Sequence, residues 1–101
     1  MKYIKKPVVI DAMQLFQTDF DSVYKEVVAK DITLHGFYHN FMGAKVWLVR
    51  DRSGVVKASV QTPEGAMRIA DGDWLIKGVK GEFYPCKADI FEQTYEPITN
   101  N

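Results

Sequence analysis

Only one cysteine, Cys86, occurs among the 101 residues. No disulfide can form within the chain, and a lone thiol suits the reducing interior of a cytoplasm. Long apolar runs are missing too, since nothing approaches the ~20 residues of a membrane-crossing helix. The opening MKYIKKPVVIDAMQ is basic but lacks the apolar core and small-residue cleavage site of a secretion signal. Charge of either sign has no surplus, with Lys+Arg and Asp+Glu at 13 each. That balance argues against a nucleic-acid polymer or an anionic membrane as partner, so any anion site must be local. Repeats, low-complexity segments and linkers are absent, and the chain reads as a single domain.

The residues that catalysis needs are equally scarce. His35 and His39 lie four apart, but Gly36 and Asn40 in the same HGFYHN segment disfavour a helix. Zinc requires a further ligand that the segment does not carry, so both are read as loop histidines and no metal is expected. Cys86 beside Lys87 at a helix start has the setting of a lowered thiol pKa. No histidine lies near it to act as base, and a small packed hydrophobe is the plainer role. No Ser-His-Asp order, Walker loop, GxGxxG element or paired-carboxylate motif is present. The chain therefore reads as a binding protein without a cofactor, not as an enzyme.

What is there is an alternation of strands and turns. Val and Ile enrichment over Pro7 to Phe16 predicts a first strand. Thr18 and Asp21 give a helix-start signal. Phe20, Val23, Tyr24, Val27 and Val28 then form one apolar stripe on an amphipathic helix over about 19–30. Asp31 to Gly43 has no clean period and is read as loop, with room for one short strand or turn. Strands are expected at Lys45–Arg50, Val55–Thr62, Ala66–Ile69, Trp74–Ile76 and Phe83–Tyr84, punctuated by DRSG, Pro63-Glu64-Gly65, Asp71-Gly72 and the VKG turn. A short helix over about 86–93 and a last strand at Tyr95–Ile98 complete the pattern. The fold class is α+β: one small curved antiparallel sheet of five to six strands, one main helix and a short C-terminal helix.

The KGVKGE segment is the candidate site. Gly78 and Gly81 permit positive φ, which lets successive backbone N–H groups converge on an anion, with Lys77 and Lys80 adding charge. Trp74 and Tyr84 offer stacking surfaces, and Asp89 and Gln14 offer hydrogen bonds to sugar or base. Each has a plainer reading: a solvated hairpin turn, core aromatics, and for Asp89 a first-turn acid.

The ending GDWLIKGVKGEFYPCKADIFEQTYE resembles that of the PGDYG-type family of small phage and prophage proteins. In those, a Pro-Gly-Asp-aromatic turn precedes a KGE[FY]YPC-like hairpin and a PDIFExTYE-like tail. The KKPVVIDAMQ opening is similar to theirs as well. Ala70-Asp71 stands where the pattern has its proline, and Ala88 replaces the proline before Asp89. A more distant likeness, through Tyr84-Pro85, Asp89-Ile90-Phe91 and Tyr95, is to phage anti-Thoeris sponges. The resemblance implies a phage-encoded protein of the host bacterial cytoplasm that sequesters a nucleotide-derived immune signal without cleaving it. It also implies a homo-oligomer. The alternative expectation is an accessory module that binds and inhibits a host protein through its aromatic surface.

Overall fold

A computed structural model of the chain describes residues 1–4 and 6–98. Nine elements follow in order: β1 (Asp11–Gln14), α1 (Gln17–Lys30), β2 (Gly36–Phe41), β3 (Ala44–Arg50), β4 (Val56–Thr62), β5 (Gly65–Ile69), β6 (Trp74–Lys77), β7 (Phe83–Cys86) and α2 (Ala88–Thr94). The fold is α+β, as the patterning predicts, but its seven strands make two antiparallel sheets instead of one.

The larger sheet is the meander β2-β3-β4-β5. The clean alternation of β4 buries Val56, Ala58, Val60 and Thr62. On β3 the buried positions are Ala44, Val46 and Leu48. The helix α1 lies across this inner face. Phe20 and Tyr24 are buried, Phe20 meets Phe41 edge-on at 6.2 Å, and Tyr24 stacks on Phe37 at 5.7 Å. Nothing among the described residues covers the outer face of this sheet, where exposed or half-buried residues alternate with the core ones.

The smaller sheet has the order β1-β6-β7 and ties the two ends of the sequence together. Its pairing of Met13 with Leu75 faces the common core, which Leu15 also joins. Its other face carries Trp74, Ile76 and Tyr84, and α2 packs on it through Phe91.

Four expectations are corrected. The segment read as loop contains β2, closed onto β3 by a two-residue turn at Met42 (φ 56°) and Gly43 (φ 92°). Both central residues have positive φ, the geometry that matches strand twist in a tight hairpin. The Asn40 carboxamide oxygen accepts the Gly43 N–H at 2.8 Å and holds the turn. The first strand covers only four residues, and residues 7–10 run free of the sheet. Helix α1 starts earlier than the Thr18 signal suggests. Phe16 is the N-cap, and the Asp19 carboxylate accepts its N–H at 2.8 Å. Finally, 95–98 is not a strand, in keeping with Pro97, which has no N–H to give a ladder.

Candidate functional site

The structure divides the eight expected site residues between two places. Lys77, Gly78, Lys80 and Gly81 lie at the β6–β7 turn. Gln14, Trp74 and Tyr84 lie on the α2-covered face of the small sheet, with Asp89 on α2 nearby.

At the turn, the chain satisfies its own donors. Gly78 N–H donates to the Glu82 carbonyl at 2.7 Å, and Gly81 N–H to the Gly78 carbonyl at 3.0 Å. Lys80 N–H donates to a Glu82 carboxylate oxygen at 3.0 Å. Only Gly81 uses positive φ (81°). Gly78 instead leaves room for the Glu82 carboxylate, which lies where a Cβ would be and would have to swing aside. A carboxylate of the chain thus occupies the position expected for a ligand anion. The lysines are displayed beside it, with Lys80 exposed. The expected backbone cradle of Gly78 and Gly81 is closed.

On the covered face, the aromatics are spent on one another. Trp74 and Phe91 stack at 4.0 Å with their planes 7° apart, and Tyr95 follows Phe91 at 5.0 Å. Burial, and next the Tyr95 hydroxyl, push the Tyr84 phenol up to about 12. Gln14 donates its carboxamide N–H to the Gly72 carbonyl at 3.0 Å, bracing the turn before β6. The exposed Asp89 carboxylate accepts the Ile90 N–H at 2.9 Å in the first turn of α2. Cys86 has the reverse of nucleophile activation: burial, then the charges of Asp73 and Asp89, raise its thiol. His39 packs edge-on against Phe41 at 4.9 Å.

A different set of side chains converges on the open outer face of the large sheet. Register places Tyr38, Trp47, Ser59 and Arg68 in one row across β2 to β5. The adjacent row is Asn40, Lys45, Gln61 and Ala66. Tyr38, Lys45, Trp47, Ser59, Gln61 and Ala66 line a groove of about 610 Å³. Tyr38 and Trp47 pack at 4.9 Å, tilted by 60°. The six-membered ring of Trp47 lies against Gly36, so closely that a Cβ there would fall 2.5 Å from its Cζ2. Lys45, Arg68 and Lys57 add three cations to this face, and no outward strand position on it is acidic. Of the three, Lys57 is paired with Asp51 at 3.3 Å, at the turn end of the β3–β4 hairpin, which neutralises it.

Chemically, this is a stacking surface with amide, hydroxyl and cationic groups around it. The sequence hides this face because β2 has no clean alternation, and Tyr38 gains its neighbours only through strand pairing. The available signal was the outward set Lys57, Ser59 and Gln61 on β4, polar and without acid. Comparison of the chain with protein-family models, curated proteins and solved structures finds no match in any of the three.

Proposed function

We propose that the chain is a non-catalytic capture protein for a nucleotide-type ligand, a cyclic dinucleotide or an ADP-ribose derivative. In this reading it is a phage-encoded sponge of the host bacterial cytoplasm, as the resemblance of its tail implies, and the ligand sits on the outer face of the large sheet. The observation that carries the reading is Trp47, held against Gly36 on an open face that also presents Lys45 and Arg68. An indole fixed in this way accepts a base without first losing side-chain freedom, and stacking of this kind contributes about 1–3 kcal/mol per base. Lys45 and Arg68 flank the platform and neutralise phosphate, while Ser59 and Gln61 offer hydrogen bonds to sugar or base edge. The β6–β7 lysines are outside this face and take no part.

Thermal unfolding and tryptophan fluorescence with a panel of cyclic dinucleotides and ADP-ribose derivatives test the reading. Stoichiometric capture needs nanomolar affinity, about −12 kcal/mol. A ligand at a hundredfold excess over its dissociation constant stabilises the fold by about 2.7 kcal/mol, a readily seen rise in melting temperature. Trp47→Ala abolishes the shift and Lys45→Ala or Arg68→Ala weakens it. Lys77→Ala and Lys80→Ala leave it unchanged. Ligand released by denaturation is recovered intact. No shift with any member of the panel, or loss of binding only in the Lys77 and Lys80 variants, overturns the assignment.

A further inference from the structure

Residues 1–4 and 6–9 are all exposed and lie outside every helix and strand, as an arm ahead of β1. Tyr3 is 88% exposed, Ile4 93% and Val9 73%. Apolar side chains so fully in water are unusual as a run, although single exposed ones need no explanation. The molecule measures 58 × 35 × 23 Å, and its radius of gyration of 15.8 Å exceeds the about 13 Å of a compact chain this long.

Beside the root of the arm lies an apolar cleft of about 820 Å³. Trp74, Phe91, Tyr95 and Ile98 line it, and Glu92 and Glu96 add acid to its lining. The arm has the complementary chemistry, since Tyr3 and Ile4 lie between Lys2 and Lys6. The same molecule cannot easily bring the two together. Residues 7–12 already form a wall of the cleft, so residues 1–6 would have to double back at Pro7. The proline ring fixes its own φ and biases the residue before it to an extended backbone, which directs the arm outward. Strand β1, where the arm begins, is the edge of its sheet and leaves one side unpaired.

We propose that the cleft receives the N-terminal arm of a second copy of this chain, and that two copies exchange arms reciprocally. The apolar residues of the arm lie on the Trp74–Phe91–Tyr95 surface, and Lys2 and Lys6 meet Glu92 and Glu96 of the other copy. Reciprocal exchange makes the same arm–cleft contact twice about a two-fold axis, the closed symmetry that most homo-oligomers adopt. This pairing is independent of nucleotide capture, which uses the opposite sheet.

Sedimentation equilibrium of the full chain at micromolar concentration tests it, with charge exchange as the specific probe. The wild type is expected to sediment at twice the mass of one chain. Lys2→Glu with Lys6→Glu, and separately Glu92→Lys with Glu96→Lys, are each expected to weaken self-association at least tenfold. An equimolar mixture of the two is expected to restore the dimer, because every arm then meets a cleft of opposite charge. Circular dichroism checks that each variant keeps its fold. Ile4→Asp, outside every helix and strand, repeats the loss without touching α2. A monomeric wild type overturns the proposal, as does a dimer that survives the arm substitutions or a mixture that stays monomeric.

Discussion

At the scale of single residues, the glycine that matters most is needed for space. Gly36 has no positive φ, yet a Cβ there would fall 2.5 Å from Trp47 Cζ2 and 2.9 Å from Cη2. A real Cβ cannot approach so near, so Gly36→Ala must lift the indole away from β2. Overpacking of this kind costs about 1–3 kcal/mol. The expected outcome is a red-shifted Trp47 emission, measured in a Trp74→Phe background, together with weaker ligand capture. An unchanged spectrum and affinity would show that the platform does not depend on Gly36. Gly78, at the other sheet, has the movable end of the Glu82 side chain beside it. Its glycine was legible as a turn signal, but the sequence could not say that the Glu82 side chain fills the space beside it. Hydrogen bonds that cross four residues within a turn leave no periodic trace, so the glycines and lysines alone suggest an anion cradle where a carboxylate already sits.

At the scale of elements, legibility followed period. Strand β4 alternates one apolar side with one polar side, and α1 carries an apolar stripe at helical spacing, so both were read closely. Strand β2 has aromatics on both sides, Phe37 and Phe41 inward and Tyr38 outward, which erases the alternation although the strand is real. Turn chemistry was readable where one side chain does the work, and DRSG is such a case. The Asp51 carboxylate accepts the Ser53 N–H at 2.9 Å, the Ser53 hydroxyl at 2.6 Å and the Val55 N–H at 3.0 Å. These bonds, the Ser53 hydroxyl first, hold its pKa down at about 2, against an ordinary 3.8. A carboxyl depressed by folding stabilises the native state above its unfolded pKa and loses that contribution as pH falls through the folded one. Asp51 therefore supports the β3–β4 hairpin fully above about pH 4 and ceases to by about pH 2. Asp51→Asn keeps an acceptor oxygen but removes the titration. Thermal melts from pH 5 to pH 2 should show a shallower acid decline for this variant than for the wild type. Parallel curves would mean that Asp51 does not link the hairpin to pH.

At the scale of the whole molecule, the sequence specified the class and much of the core but not the division into two sheets. That division depends on which strands pair. The pairing of β1 with β6 joins positions some sixty residues apart, which no local pattern encodes. The same gap hid the open face, since a row such as Tyr38–Trp47–Ser59–Arg68 exists only once register is known. The two sheets nonetheless share one core: Leu15 and Leu75 from the small sheet side meet Val46, Leu48 and Val60 from the large one, with Phe20 of α1 among them. Each sheet also carries one of the two tryptophans, Trp74 in the small and Trp47 in the large, so each has its own optical probe. If the core is shared, Trp74→Phe and Trp47→Phe proteins must each unfold in a single transition at a common midpoint once the small offset of each substitution is subtracted. Phe20→Ala then becomes decisive, because Phe20 is fully buried and removing its ring costs about 3–5 kcal/mol. For a domain of this size that lowers the melting temperature on the order of 15 °C or more, and both fluorescence signals should fall together. A Trp74 signal that keeps its original midpoint while the Trp47 signal moves would show that the small sheet, with α2, folds as a unit of its own.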